Sequence, residues 1–372
     1  MLTVAGSDQS FMRLALKEAR KGIGRTSPNP CVGAVVVRDQ KVIATGYHQQ
    51  AGTPHAEIHA LRQAGESARG ATLYVTLEPC NHFGRTPPCT RAIVAAGIRR
   101  VVVGMEDPNP LVEGRGNAYL QDQGLELTSG ILEAECRALN RPFIKYITRG
   151  LPWVVMKAAI SLDGRISYQP QQGGPITGPA SLHRGHHLRN RLDAILVGNV
   201  TVMVDDPSLT TRLPHGRGRD PIRVIMDTHL HIPPSARLLS LTSLAPTWIF
   251  CSKDVSLEKI KRLSRTDKVV IHQVDCGSDG RVDLVQMLQI LAREGVLSLL
   301  VEGGATIHGA FLTQQLVDHI NLFIAPIFAG SSGTAVVAGL NVKSYGEAIR
   351  LQNVHYSRLG QDIMVEGDIL YP

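Results

Sequence analysis

Three short clusters in the first quarter of the chain constrain its fold most: His55-Ala56-Glu57, then Glu78-Pro79-Cys80, then Cys89. Imidazole and thiolate are the ligands zinc prefers, in tetrahedral geometry, and a catalytic site keeps its fourth position for water. His55, Cys80 and Cys89 supply three such ligands. To meet at one ion they must sit on elements that return to the same place. The local patterns provide such elements. His55–Ala68 reads as a helix, Leu73–Leu77 as a strand, and Cys89 opens a further helix that ends near Ala96.

A zinc ion lowers the pKa of its water to ~7, and the chemistry then needs a group that carries protons. Glu57 stands two residues past the first ligand, near the metal yet free of it. The same division of labour occurs in zinc base deaminases, with HxE on one helix and PC…C at the start of another. Each half is weak alone, since a cysteine at a helix start is usually a small buried side chain. Their joint order carries the zinc reading. A structural zinc module fits less well, because such sites usually have four protein ligands. The spacing departs from PCxxC: eight residues, Asn81 to Pro88, separate Cys80 from Cys89. This loop brings His82 and Arg85 towards the metal and reads as a substrate-binding insert rather than an incidental solvent loop.

At 372 residues the chain exceeds the size at which one core usually stops growing, so two domains are expected. Ser7 or Asp8 caps a helix with Phe11, Met12, Ala15, Leu16 and Ala19 on one face, stopping at Gly22. Cys31–Arg38 and Lys41–His48 form a hairpin turning at Asp39-Gln40, and Arg100–Met105 is another strand. Residues 131–149 read as helical, and Gly150-Leu151-Pro152 breaks the pattern, giving domains 1–150 and 151–372. Beyond it Trp153–Ile160, Ala194–Gly198, Arg223–Met226, Thr247–Cys251, Val269–His272 and Leu297–Val301 are apolar strand candidates with helical stretches between several of them. This is α/β patterning throughout.

Aromatic residues are only 5% of the chain, so the cores must rest on aliphatic side chains. The first 150 residues carry 18 Lys and Arg against 13 Asp and Glu, and the rest carry 21 against 19. Such mild, dispersed basicity suits a small phosphorylated substrate and gives no nucleic-acid track. An RNA-editing deaminase with a basic, aromatic-studded second module is therefore disfavoured. Six cysteines in this length are no disulfide scaffold, the first residues lack the apolar stretch expected of a signal peptide, and no apolar run is long enough to cross a membrane. A cytoplasmic protein is expected.

The set HAE, TLEPCNHFGRTPPC and the upstream SPNPCVGAVVV resembles the bifunctional riboflavin-biosynthesis deaminase/reductases, and the resemblance extends over nearly the whole chain. It implies a cytidine-deaminase-like three-layer domain followed by a dihydrofolate-reductase-like domain. It further implies Zn2+ on His55, Cys80 and Cys89, with Glu57 as proton shuttle. Asn29, His48, Ala56, His82 and Arg85 become contacts to the substrate, 2,5-diamino-6-ribosylamino-4(3H)-pyrimidinone 5′-phosphate. NADPH then reduces the ribosyl group to ribityl, giving 5-amino-6-ribitylaminouracil 5′-phosphate. A homo-oligomer is expected, its order open.

In the second domain Lys157–Arg165 resembles the first strand and loop of that reductase, and Ile176-Thr177-Gly178, Thr201, Asp205-Asp206-Pro207, Leu209-Thr210 and Arg212 follow at family spacing. The resemblance implies cofactor contacts from Ala159, Thr201, Asp205 and Gly304, and substrate contacts from Arg189, Leu209, Arg212 and Glu302. Val301-Glu302-Gly303-Gly304-Ala305 ends a strand and opens a helix, whose free N–H groups suit phosphate. Lys157 is either near the reacting sugar or an ion-paired strand lysine. Gly173-Gly174-Pro175 stands where the family often has a cofactor-touching aromatic or basic residue. A deaminase with a non-catalytic second domain is therefore the runner-up.

Overall fold

Phe11, Met12, Ala15, Leu16 and Ala19 form the buried face of helix α1, Asp8–Ala19. The capping expectation needs correction. Ser7 is the N-cap residue but its side chain makes no capping bond. The Asp8 carboxylate instead accepts from Arg100 at 3.0 and 2.7 Å and from the Tyr74 hydroxyl at 2.8 Å. A guanidinium outcompetes an N-terminal amide for the same oxygens.

The computed structural model describes residues 7–83, 87–109, 115–216, 218–264 and 268–372. It divides into two units, residues 1–150 and 151–372. In the first, β1 (Gly33–Arg38), β2 (Lys41–Tyr47), β3 (Thr72–Leu77), β4 (Arg100–Met105) and β5 (Glu126–Thr128) form a sheet of order β2-β1-β3-β4-β5. β1 runs antiparallel to β2 and β3, and β3, β4 and β5 run parallel. Asp39 and Gln40 both take positive φ, as a two-residue hairpin turn requires.

Helices α2 (Ala56–Ala64), α3 (Cys89–Ala95), α4 (Arg115–Asp122), α5 (Glu133–Leu139) and α6 (Arg141–Arg149) complete this unit. The expected helix to Ala68 is α2 with a 3-10 turn, Gly65–Ala68, and the expected helix over 131–149 is two helices. Two glycines fix the layering. A Cβ on Gly33 would collide with the Ala15 carbonyl oxygen of α1, and one on Gly46 with that of Ala56 in α2. Gly46 pairs with Ala34, the residue next to Gly33. Consecutive strand residues point to opposite faces, so α1 and α2 cover opposite sides of the sheet in a three-layer domain.

The second unit has nine strands among its described residues: β6 (Trp153–Ile160), β7 (Ala194–Gly198), β8 (Ile222–Met226), β9 (Thr247–Ser252), β10 (Val269–Val274), β11 (Ser298–Val301), β12 (His319–Ile324), β13 (Arg350–Leu359) and β14 (Asp362–Leu370). Their order is β10-β9-β8-β7-β11-β6-β12-β14-β13, parallel as far as β12 and antiparallel over the last two pairings. Helices α7 (Pro179–Arg191), α8 (Asn199–Asp205), α9 (Leu257–Leu263), α10 (Leu284–Arg293) and α11 (Ala305–Thr313) accompany it.

Alternate residues of the parallel strands feed two cores. Val154, Leu196, Val224, Phe250 and Leu299 join α10 and α11 in one; Val155, Ile195, Ile225, Ile249 and Leu300 join Leu188 of α7 and Leu263 of α9 in the other. Strands buried on both faces need continuous apolar runs, which is why these strands stand out in the sequence. Lys157 shares its face with Val155, and Glu302, just past β11, shares its face with Leu300. Both therefore point towards α7.

Candidate active sites

In the first unit β3 ends at Leu77, and the chain turns through Glu78-Pro79-Cys80. The Glu78 carboxylate accepts from the backbone N–H groups of Asp107, Gly116 and Asn117 at 3.1, 2.9 and 3.0 Å. It is thus a brace that holds this turn against the start of α4. The excursion from Cys80 to Cys89 closes at its neck. Thr90 N–H donates to the Cys80 carbonyl, Cys89 N–H points at Cys80 Sγ at 3.4 Å, and the Thr90 hydroxyl donates to Asn81 at 2.7 Å. The eight intervening residues therefore do not separate the thiols.

His55 is the N-cap residue of α2. Its Nδ1 lies 3.2 Å from Cys89 Sγ and 3.6 Å from Cys80 Sγ. One ligand atom from each of the three residues lies within 4.8 Å of the others. Tetrahedral zinc with these ligands has edges of about 3.5–3.8 Å, so the donor set and its spacing fit the ion. The Cys89 hydrogen bond pulls the Cys80 thiol well below the usual thiol range despite its burial, with His55 helping, while the same contact and burial push Cys89 up. One thiolate is already favoured where a cation would be received.

Glu57 is 3% exposed, and its Oε2 is buried without a hydrogen-bond partner. Burial pushes this carboxyl upwards. Asn29, His48, His55, Glu57, Cys80 and His82 all line one cavity of about 430 Å³. Asn29 Nδ2 donates to His48 Nε2 at 3.0 Å, and His48 Nδ1 faces the Pro54 carbonyl at 3.3 Å. This pattern describes a neutral imidazole, and burial lowers its pKa accordingly. The Asn29 carbonyl and its second N–H remain for a ligand. Ala56 is fully buried and is not among the residues that line this cavity. Arg85 lies outside the described residues.

The sequence reading missed Asp107, Asn109, Phe143 and Ile147, which line the same cavity. Asp107 follows the carboxyl end of β4, where ligands collect in parallel sheets. That was the available signal. Burial raises its carboxyl, against a hydrogen bond from Asn109 N–H.

In the second unit a larger cavity of about 800 Å³ opens at the carboxyl ends of β7, β8 and β11. Thr201 and Asp205 of α8 and Gly304, the N-cap residue of α11, line it together. Gly173 and Gly174 form part of the wall, and a Cβ on Gly173 would meet the Asp205 carboxylate. Pro175 is exposed and does not line it. Ala159 is absent from the wall; it sits on β6, on the face that carries Lys157.

The residues expected to meet substrate lie elsewhere on this unit. Arg189 of α7 donates to both oxygens of Glu302 and to the Thr210 carbonyl at 3.2 Å. Lys157 Nζ lies 3.8 Å from Glu302 Oε2. Burial opposes ionisation of Glu302, but Arg189 and Lys157 outweigh it and hold the carboxyl at about 2. Arg212 is exposed, and its backbone N–H donates to His186 Nδ1 at 3.3 Å. His186, unmarked by the sequence, is held down at about 4 by burial and by Arg189 and Arg212. Leu209 takes φ +53°, and its side chain is buried in a core and lines neither cavity.

No described helix is long and apolar enough to cross a membrane. The family model for the cytidine and deoxycytidylate deaminase zinc-binding region matches residues 5–105, and that for the RibD C-terminal domain matches residues 152–365. The riboflavin biosynthesis protein RibD of Bacillus amyloliquefaciens is 40% identical over 98% of this chain and 99% of its own length. The solved structure of Acinetobacter baumannii RibD superposes with a TM-score of 0.87 at 36% identity, over 98% of this chain and 99% of that one. A Thermotoga maritima structure is similar, at TM-score 0.85 and 35% identity over the same shares; it is described as a diaminohydroxyphosphoribosylaminopyrimidine deaminase/5-amino-6-(5-phosphoribosylamino)uracil reductase. The two family models match successive parts of the chain and the relatives match nearly all of it, so this chain belongs to the RibD family, the bifunctional deaminase/reductases of riboflavin biosynthesis.

Proposed function

We propose that residues 1–150 deaminate 2,5-diamino-6-ribosylamino-4(3H)-pyrimidinone 5′-phosphate with zinc, and that residues 151–372 reduce the product with NADPH to 5-amino-6-ribitylaminouracil 5′-phosphate. The observation that carries the first half is the unpartnered Glu57 oxygen, buried in a cavity beside the His55, Cys80 and Cys89 cluster.

When bound, zinc supplies an acidified water at neutral pH. Glu57 moves a proton from the attacking water to the departing amine, so that C–NH₂ becomes C=O and ammonia leaves. Its burial favours the protonated form between the two transfers. Asn29 pairs with the pyrimidine edge through its free carbonyl and N–H. His48, locked neutral, fixes the Asn29 amide. The Ala56 backbone, His82 and Arg85 complete the grip on base and phosphate.

In the reductase NADPH would supply hydride when bound; Thr201, Asp205 and Gly304 would hold it, with Ala159 as a further expected contact. Glu302 is ionised at working pH, so it accepts hydrogen bonds from substrate hydroxyls and does not donate a proton. Lys157, beside it, is the proton source. Arg212 binds the substrate phosphate. Arg189 commits three of its five N–H groups to Glu302 and Thr210, and the remaining two assist. No disulfide joins the six cysteines, and we place the chain in a reducing, cytoplasmic setting. We place the chain in a homo-oligomer on the strength of the family alone.

Metal analysis joined to a two-step assay tests this reading. One zinc per chain, ammonia release from the diaminopyrimidine, and subsequent NADPH oxidation support it. Ammonia release without zinc, or reduction that prefers another cofactor, overturns the corresponding half.

A further inference from the structure

The cavity of the second unit extends past the α11 N-terminus to a wall built by the loops after β8 and β10. Thr228 and His229 come from the first loop, and Ser278, Asp279 and Arg281 from the second. Arg281 is the one permanently cationic side chain among the described residues that line this cavity. The remaining lining charges are Asp205, Asp279 and Asp283, with His229 as the other titratable group.

The turn that carries Arg281 is fixed at its backbone. Cys276 and Val282 form an antiparallel bridge, Gly277 N–H donates to the Arg281 carbonyl at 2.7 Å, and Gly280 N–H donates to Gly277 at 3.0 Å. Val282 N–H reaches the Thr228 hydroxyl at 3.4 Å, joining the two loops. Both acids near Arg281 are engaged with main chain. Asp279 accepts from Arg281 N–H at 3.1 Å, and Asp283 caps α10 by accepting from Gln286 N–H at 2.9 Å. The guanidinium itself has no hydrogen bond or ion pair with a described residue. It is an unspent cation, carried by an anchored turn on the wall of a large cavity, with a hydroxyl three residues away.

We infer that Arg281, with the Ser278 hydroxyl, receives the 2′-phosphate of a phosphorylated dinucleotide and makes the reductase select NADPH over NADH. The inference rests on reading this cavity as the cofactor site. The chemistry is direct. A 2′-phosphate adds close to two negative charges and three acceptor oxygens, which a planar guanidinium matches bidentately. The bare 2′-hydroxyl of NADH presents neither. The three lining aspartates would repel that phosphate unless a cation stood against it, and Arg281 is the cation placed to do so. The dinucleotide's own pyrophosphate has a separate partner in the α11 N-terminus at Gly304 and Ala305.

Calorimetric titration of the full chain with NADPH, NADH, adenosine 2′,5′-diphosphate and adenosine 5′-diphosphate tests it without turnover. The expected result is that the natural protein binds NADPH and the 2′,5′-diphosphate more tightly than their counterparts. Arg281→Ala should weaken those two ligands roughly ten- to hundredfold and move NADH affinity less than about twofold. Arg281→Lys should recover part of the loss, since a point charge remains without the bidentate fork. Equal losses for both dinucleotides, no loss for either, or equal affinities in the natural protein overturn the assignment and leave the cofactor reading standing. A natural protein that binds neither dinucleotide overturns the cofactor reading itself and the assignment with it.

Discussion

Arg189 and Glu302, 113 residues apart in the chain, meet through two hydrogen bonds, Nε to Oε1 at 3.1 Å and Nη2 to Oε2 at 2.8 Å. Their side chains are 16% and 9% exposed. Two charges held together out of water depend on each other, and removing one strands its partner at a cost of about 3–5 kcal/mol. Glu302→Gln should therefore destabilise the second unit by about that amount. Trp153 and Trp248, the chain's two tryptophans, both lie in that unit, so their fluorescence reports its unfolding alone. A loss below about 1 kcal/mol would show that the pair is not what holds α7 to the end of β11.

The same pair predicts a pH dependence. The folded pKa of Glu302, about 2, lies below the ordinary glutamate value of about 4.3. A depressed carboxylate pKa adds stability that is fully present above the unfolded value and disappears as pH falls through the folded one. The stability gap between the natural protein and Glu302→Gln should thus be constant above about pH 5 and shrink steadily towards pH 2. Tryptophan-monitored urea unfolding across that range checks it. A gap that stays constant down to pH 2 would detach Glu302 from the ion pair.

The elements most legible in the sequence were those whose pattern is local. The stripe of Phe11, Met12, Ala15, Leu16 and Ala19 announced α1, and the apolar runs announced β4, β6 and β7. β13 was not read because most of its residues stay accessible and polar ones such as Gln352, Asn353 and His355 interrupt it. β12 was hidden by His319 and Asn321, and α4 by its polar face. In the sites, motif residues with fixed spacing were readable. Asp107 and His186 were not, because what marks them is who stands opposite, which is set by sheet register and not by neighbours in sequence. Of the two cap candidates, Ser7 holds the N-cap position without a side-chain bond, and Asp8 is drawn to Arg100, 92 residues away.

Zinc retention should depend on Cys89. Its Sγ is 3.2 Å from His55 Nδ1 and it sits at the first turn of α3, so serine would leave a hard, neutral oxygen in place of a thiolate. Cys89→Ser should lower bound zinc from about one per chain to a small fraction under mild chelation and abolish ammonia release. Mass spectrometry of the native protein, with and without a chelator, measures the first; unchanged stoichiometry would remove Cys89 from the ligand set.

The two arginines should separate kinetically. Arg212 is exposed and makes no ion pair with a described residue, so Arg212→Ala should raise KM for the phosphorylated substrate with little change in stability. One or two charge-assisted hydrogen bonds correspond to a loss of roughly ten- to hundredfold in kcat/KM. Arg189→Ala should lose both rate and stability, because Glu302 is stranded. Comparing phosphorylated with dephosphorylated substrate decides the matter. Equal losses on both would mean that Arg212 does not hold the phosphate.

Glu57→Gln should stop deamination and spare reduction. Gln keeps the size of the side chain and its place in the cavity, but it cannot take up and release a proton. Losing a general acid–base group typically costs ~10²–10⁴ in rate. Zinc should remain bound, because the donor cluster consists of His55, Cys80 and Cys89 without Glu57. Relief of the buried carboxyl should also hold or raise the stability of the first unit, since burial disfavours its charged form. The Glu302 site draws its partners, Arg189, Lys157 and Thr210, from residues 151–372 alone. Reduction of pre-deaminated substrate should therefore proceed at the natural rate in Glu57→Gln. Each activity must be assayed with its own substrate, so that a blocked first step is not mistaken for a damaged second one. A severalfold drop in reduction of the pre-deaminated compound, with zinc content unchanged, would show that the two active sites communicate.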